Sequence, residues 1–243
     1  MSAGALARLK MGIGRLWRRL RRPVVEVQGV RLRLGRHLSP WVEDVLLRGT
    51  YESDECELLA GILEPDDTIL EVGAGLGVIS TLCARRVGSE RVFAYEANPD
   101  LERRIRETWA LNGVRPTLTV CAIGAEKGEI VFYRDAHLWS SSVIPSTPDM
   151  RPVRVPQRSL SSEAAHARPT LLIVDAEGAE RDLFRGAVLP SVTRIVVELH
   201  QRLIGREGVE RVRADLAGLG FVEDATLSRG EQLVLRRRAN PVQ

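Results

Sequence analysis

Aromatic residues make up only 5% of the 243-residue chain, its three cysteines are scattered, and no apolar run approaches the length of a membrane span. Each shortage excludes something. A surface that stacks nucleic-acid bases needs several exposed rings, which so few aromatics do not supply. Cys56, Cys83 and Cys121 are odd in number and lack metal-ligand spacing, so neither a disulfide framework nor a zinc site is expected, and a reducing, cytoplasmic setting fits. Without about eighteen consecutive uncharged apolar residues no transmembrane helix is expected, and a soluble protein is. Acids are missing from residues 1–22, which hold Arg8, Lys10, Arg15, Arg18, Arg19, Arg21 and Arg22. With +7 there and +3 in total, residues 23–243 carry −4, which disfavours a body that grips nucleic acid. The remaining composition, 44% hydrophobic and 28% charged, is ordinary globular usage, and the length suits one large domain with an extension.

Leu6, Leu9, Ile13, Leu16 and Leu20 fall on one helical stripe with Trp17 beside it, so residues 1–22 read as a basic amphipathic helix. Three occupants of that stripe stay open: the chain's own domain, a second copy in a homodimer, or the anionic inner leaflet of a membrane as a peripheral contact. Residues 23–64 come next, with a β-hairpin over Val24–Leu34 around Gln28-Gly29 and a helix from Ser53, its N-cap, to Leu63. This hairpin and helix are expected to cover the site. Residues 65–243 then alternate short apolar runs with amphipathic helices: strands Thr68–Val72, Arg91–Tyr95, Thr117–Cys121, Thr170–Val174 and Thr193–Leu199, with helices Gly77–Val87, Pro99–Asn112 and Glu207–Gly218. That alternation means an α/β domain on a mostly parallel sheet. Strands Phe221–Asp224 and Gln232–Arg236 lie too close in sequence for a crossover, so they close the sheet as an antiparallel hairpin. An insertion, residues 124–169, carries a hairpin at Glu129–Tyr133 and the polar run Trp139-Ser140-Ser141-Ser142, three hydroxyls available to a polyol.

Glu71-Val72-Gly73-Ala74-Gly75-Leu76-Gly77 sits where the first core strand turns into its helix, the place where open α/β sheets bind ligands. Glu96 ends the second strand nineteen residues after Gly77, placed to accept both hydroxyls of a ribose. A dinucleotide site uses G-x-G-x-x-G, whereas Val78 occupies the last position here, which weighs against an NAD-dependent oxidoreductase. S-adenosylmethionine has no phosphate, so its site tolerates a carboxylate at the first turn, and the terminal hairpin matches a Rossmann-like class I methyltransferase sheet. Glu71, Gly73, Gly75, Gly77, Glu96, Ala122 and Asp175 are the candidate cofactor residues. A non-catalytic binding protein on this fold is the other alternative, and the intact glycines and Glu96 weigh against it.

The runs Gly49-Thr50-Tyr51-Glu52, Ile69–Ser80, Tyr95-Glu96-Ala97-Asn98-Pro99, Val174-Asp175-Ala176-Glu177-Gly178-Ala179-Glu180, Gly186-Ala187 and Val197-Glu198-Leu199-His200 together resemble the FkbM family of methyltransferases, in consistent order over residues 45–236. The resemblance implies S-adenosylmethionine and methylation of hydroxyl oxygens on sugars, glycans or secondary metabolites. Two positions depart from the family's pattern: Ile173 stands where many relatives have lysine, and Gly75 where many have asparagine.

Asp175 and Glu177 end the fourth strand; Glu198 and His200 alternate on the fifth and so share a face. Methyl transfer to an alcohol needs alignment and removal of the hydroxyl proton. His200, with an ordinary pKa near 6.5, is the candidate base, and Asp175 takes the proton itself or orients the imidazole. The structural alternative has the acids capping the turn at Gly178 and His200 satisfying a buried partner. These four residues offer oxygen and imidazole to a divalent ion as well, but nothing in the sequence fixes a ligand geometry, and no metal is assigned. His37, His137 and His166 are given no role. The acceptor, a small molecule or a glycan, is not named by the fold.

Overall fold

The computed structural model describes residues 23–35, 38–134, 143–144 and 149–238. Residues 1–22, where an amphipathic helix is expected, His37, His137 and Ser140-Ser141-Ser142 lie outside them.

Among the described residues, seven strands form the central sheet: β3 (Ile69–Val72), β4 (Val92–Glu96), β5 (Thr117–Val120), β9 (Leu171–Val174), β10 (Arg194–Glu198), β11 (Phe221–Glu223) and β12 (Gln232–Arg237). They lie in the order β11-β12-β10-β9-β3-β4-β5, and β12 alone runs against the rest. The chain leaves β3 toward β4 and β5, then returns to the other side of β3 with β9 and β10, so a crevice opens past the ends of β3 and β9. Strands β3 and β9 are buried at every position, as near-continuous apolar runs covered on both faces should be.

Helices α3 (Val78–Val87) and α4 (Glu102–Asn112) belong to one apolar layer with Ile69, Ala94 and Leu171. On the opposite face α5 (Leu160–Ala167) and α7 (Gln201–Gly218) pack with Leu70, Leu172, Ile195 and Val197. The segment 124–169 is not one insertion. It holds β7 (Gly128–Arg134), whose antiparallel partner is β8 (Arg151–Ser159), with β6 (Ala122–Gly124) on the far edge of β8. Its last part is α5, the crossover helix itself, capped by Ser159 Oγ.

The N-terminal elements differ from the expectation in three ways. A helix, α1 (Pro40–Arg48), begins at Ser39, whose hydroxyl accepts from Val42 N; its Ser-Pro start is a capping signal that the sequence analysis did not use. In α2 (Ser53–Ile62) the N-cap is Glu52, in a left-handed conformation, and Ser53 is the first helical residue. The hairpin of β1 (Val24–Val27) and β2 (Val30–Arg33) forms as expected but does not cover the site. Val27, Val30 and Leu32 sink into the layer that holds Ile105 and Trp109, and the Asn112 side chain bonds Arg31 at both its N–H and its carbonyl.

At the opposite end of the sheet from the crevice, Asp67 and Arg194 form a buried ion pair. Asp67 also accepts from Thr170 Oγ1 at 2.6 Å and from Glu64 N at 2.8 Å, which ties the entries to β3, β9 and β10 together. Breaking a buried pair strands a charge and costs about 3–5 kcal/mol. Asp67→Ala is therefore expected to lose that much in urea unfolding, and the double variant Asp67→Leu, Arg194→Met to recover most of it. A loss below about 1 kcal/mol would contradict a role for the pair in holding the strand ends.

Candidate active site

The crevice past β3 and β9 deepens into a cavity of about 800 Å³, enough for a nucleoside-sized ligand with room beside it. Residues 38–62, from α1 and α2, roof it; β6, β7 and Val143 form one wall, and the ends of β3, β4, β9 and β10 its floor.

The floor depends on glycine. Gly73 has φ +92°, and a Cβ there would overlap the carbonyl oxygen of Asp175, so only bare backbone lets the loops after β3 and β9 meet. Gly73 N and Ala74 N both donate to Tyr95 O, which ties the turn to β4. Gly75 N donates to Glu96 Oε2 at 2.9 Å and Asn98 N to Glu96 Oε1 at 2.7 Å, so the carboxylate is fixed at the cavity edge. Burial pushes the Glu96 carboxyl up to about 7 against the pull of these backbone donors.

Of the candidate cofactor residues, Gly73, Gly75, Glu96, Ala122 and Asp175 line the cavity. Glu71 and Gly77 do not. Glu71 points into the core, where Oε1 accepts from Ser80 N in the first turn of α3; burial raises this carboxyl to about 8. Gly77 is the left-handed N-cap of α3, and a Cβ there would press on Ile105 and on Trp109 Nε1. Its job is helix packing. Because the Glu71 side chain already occupies an amide of that helix start, a pyrophosphate finds one backbone donor fewer there.

The fourth and fifth strands bring their acids together as expected, with one correction. Strand β10 stops at Glu198, and His200 is the N-cap residue of α7 rather than a strand residue. Even so, Asp175, Glu198 and His200 offer ligand atoms within 4.8 Å of one another. His200 is held by a residue that the sequence reading left out of the site. Glu180, fully buried at the start of the short helix α6 (Glu180–Leu183), accepts from His200 N at 2.9 Å and lies 3.1 Å from Nδ1 through the same oxygen. Its second oxygen accepts from Gly178 N. The capping alternative thus describes Glu180, and the spacing Asp175-x-Glu177-x-x-Glu180 was the signal that could have found it.

The other face of the ring meets Asp175 at 3.4 Å and Glu177 at 3.6 Å from Nε2. Burial by itself would favour a neutral imidazole, but the Glu180 hydrogen bond and the charges of Glu177 and Asp175 lift His200 to about 10. His200 thus departs from the ordinary imidazole value near 6.5, and at neutral pH the ring holds its proton. Burial pushes Asp175 well above the usual carboxylate range, with Glu55 and Glu198 adding to it and His200 opposing. Glu177 sits at φ +44°, an uncommon conformation for a non-glycine residue. In this arrangement His200 spends both ring nitrogens on carboxylates.

The residues fit S-adenosylmethionine, a cationic ligand without phosphate. The glycine turn leaves bare backbone at the cavity floor, the Glu96 carboxylate stands at its edge, and further acids line the rest, Glu52 Oε2 being buried without a hydrogen-bond partner.

The chain matches the methyltransferase FkbM domain family over residues 71–223. It is 27% identical over 185 residues, 72% of its length, to the AMB antimetabolite synthetase AmbE of Pseudomonas aeruginosa, and spans 8% of that protein. Among solved structures it is similar to a ribosomal protein L11 methylase from Lactobacillus delbrueckii subsp. bulgaricus (TM-score 0.45, 15% identity, 78% of this chain and 79% of that one). Another is M. jannaschii TYW2 in complex with AdoMet (TM-score 0.45, 12% identity, 87% of this chain and 82% of that one). The match over more than half the chain, on the segment that carries the glycine turn, Glu96 and the acid cluster, makes this protein a member of the FkbM methyltransferase family, with S-adenosylmethionine as its cofactor.

Proposed function

We propose that the chain methylates a hydroxyl oxygen of a small molecule or glycan. The observation that carries this reading is the carboxylate–imidazolium cluster on the cavity wall, directly beside the glycine turn. When bound, S-adenosylmethionine supplies a methyl group on a sulfonium, ready for in-line displacement. The chain's residues must align the acceptor and take its proton.

Asp175 is the better base. A carboxylate whose proton affinity is raised by burial is closer to matching a hydroxyl than an exposed one, and it lies on the cavity side of the ring. His200 already carries a proton, and its charge opposes the rise at Asp175, favouring the carboxylate form that can accept the hydroxyl proton. Glu180 acts through His200, setting the plane of the ring and holding Nδ1 protonated. Glu177 and Glu198 frame the same corner of the cavity and accept from the acceptor's other hydroxyls.

Asp175→Asn is expected to lose about 10²–10⁴ in turnover while keeping cofactor affinity. Near-normal turnover of both Asp175→Asn and His200→Ala, once an acceptor is in hand, would remove the proton-transfer role. Glu180→Gln keeps the shape but not the charge, so the His200 ring should titrate well below 10 by NMR; an unchanged titration would contradict its role.

Glu96→Ala is expected to weaken S-adenosylmethionine about tenfold or more in calorimetry, since hydrogen bonds to a buried charge contribute about 1.5–3 kcal/mol each. Because the Glu96 carboxyl titrates at about 7 and its ionised form accepts hydroxyls best, wild-type affinity should fall as the pH drops below 7. Glu96→Gln should lose that part of the pH dependence. Unchanged affinity in Glu96→Ala, or preferential binding of NAD, would overturn the assignment.

A further inference from the structure

Glu52 lies outside the residues matched to the family, on the roof of the cavity, and three features of it have no structural explanation. Its backbone is left-handed (φ +50°, ψ +28°), a conformation that costs a non-glycine residue free energy and persists where the surroundings impose it. It stands at the N-cap of α2, where a side-chain oxygen would ordinarily accept from the helix, yet it makes no capping bond. Instead its carboxylate turns inward and hydrogen-bonds the Tyr51 hydroxyl, leaving Oε2 buried without a hydrogen-bond partner.

The place it turns to is specific. A Cβ on Gly75 would lie 3.2 Å from Tyr51 Oη and 3.6 Å from Glu52 Oε1, so both side chains rest directly over the glycine turn. Gly75 therefore stands between two carboxylates, with Glu96 on its N–H and Glu52 over its Cα. The charges that reach Glu52 are those of Asp175, Glu71 and Glu198, all negative, and with burial they push its carboxyl well above the ordinary range. A buried carboxylate whose charged neighbours are all carboxylates is unfavourable on its own and is matched by a ligand cation.

Resting on the cofactor reading above, we infer that Glu52 binds the α-ammonium group of S-adenosylmethionine. The ribose belongs at Glu96, and the amino-acid end, on passing Gly75 toward Asp175, comes under the roof at Glu52. The ammonium then provides the donor that Oε2 lacks, and the left-handed backbone is what aims the carboxylate there.

Three ligands separate the possibilities by calorimetry: S-adenosylmethionine, S-adenosylhomocysteine, which keeps the ammonium but has a neutral sulfur, and 5′-methylthioadenosine, which has neither the ammonium nor the sulfonium. Glu52→Gln should lose about tenfold or more for the first two and nothing for the third. Equal losses for all three would mean that Glu52 only shapes the cavity, a loss for S-adenosylmethionine alone would assign it to the sulfonium, and no loss would leave it no role; each overturns the inference. Failure of the wild type to bind any of the three would overturn the cofactor reading itself, and this inference with it. Glu52→Gly suits the left-handed backbone and guards against misfolding. It should melt no lower than the wild type and show the same selective loss; a lower melting temperature with unchanged affinities would again contradict the assignment.

Discussion

The contact between Gly73 and the Asp175 backbone is the constraint on which the rest of the molecule depends. Strands β3 and β9 pair in parallel from Ile69–Leu171 to Val72–Val174, and the chain must turn away at the end of both. Two loops cannot occupy one exit unless one of them gives up its side chain, and Gly73 does. The glycine turn and the turn that carries Asp175 and Glu177 are thereby pressed into the same cavity. Without that contact the sheet would still form, but the proposed binding and proton-transfer groups would sit apart.

The second theme is charge. Glu52, Glu55, Glu96 and Asp175 are all held above their ordinary pKa by burial, and His200 is the cation set among the acids near Asp175. For a buried acid whose folded pKa is raised, stability falls as pH climbs from its unfolded value through the folded one, so these acids oppose folding at neutral pH. A raised His200 instead adds stability, fully present below its ordinary value near 6.5 and lost as the pH climbs from there to about 10. The cavity thus holds like-charged acids at a cost in stability, an arrangement that suits the proposed cationic ligand.

Much of this was legible in the sequence, for reasons that can be stated. The buried strands read as short apolar runs because a parallel sheet covered on both faces needs them, and the terminal pair had to be antiparallel because the link is too short for a crossover. The position of Glu96 beside the glycine turn was legible because its distance from that turn is set by one helix and one strand. What failed was anything decided by side-chain direction. Glu71 and Gly77 belong to the same motif as Gly73, yet they face the core and helix α4, which spacing does not reveal. His200 was placed on a strand that ends two residues earlier, and its protonation depends on Glu180, which approaches only once α6 has formed. Glu52 was visible in a motif but not as a site, because its left-handed turn is a tertiary outcome. Helix α5 was hidden in a polar segment whose amphipathic pattern, Leu160-Ser161-Ser162-Glu163-Ala164-Ala165, is short and weak.

The most direct test of this account is a crystal structure of the protein with S-adenosylhomocysteine. It should show the ribose hydroxyls on Glu96, the adenosyl group crossing Gly73 and Gly75, and the sulfur turned to the corner formed by Asp175 and His200. An adenosyl group bound outside this cavity, or a sulfur facing the β6–β7 wall away from Asp175, would contradict the claim that the Gly73–Asp175 contact joins cofactor and base in one site.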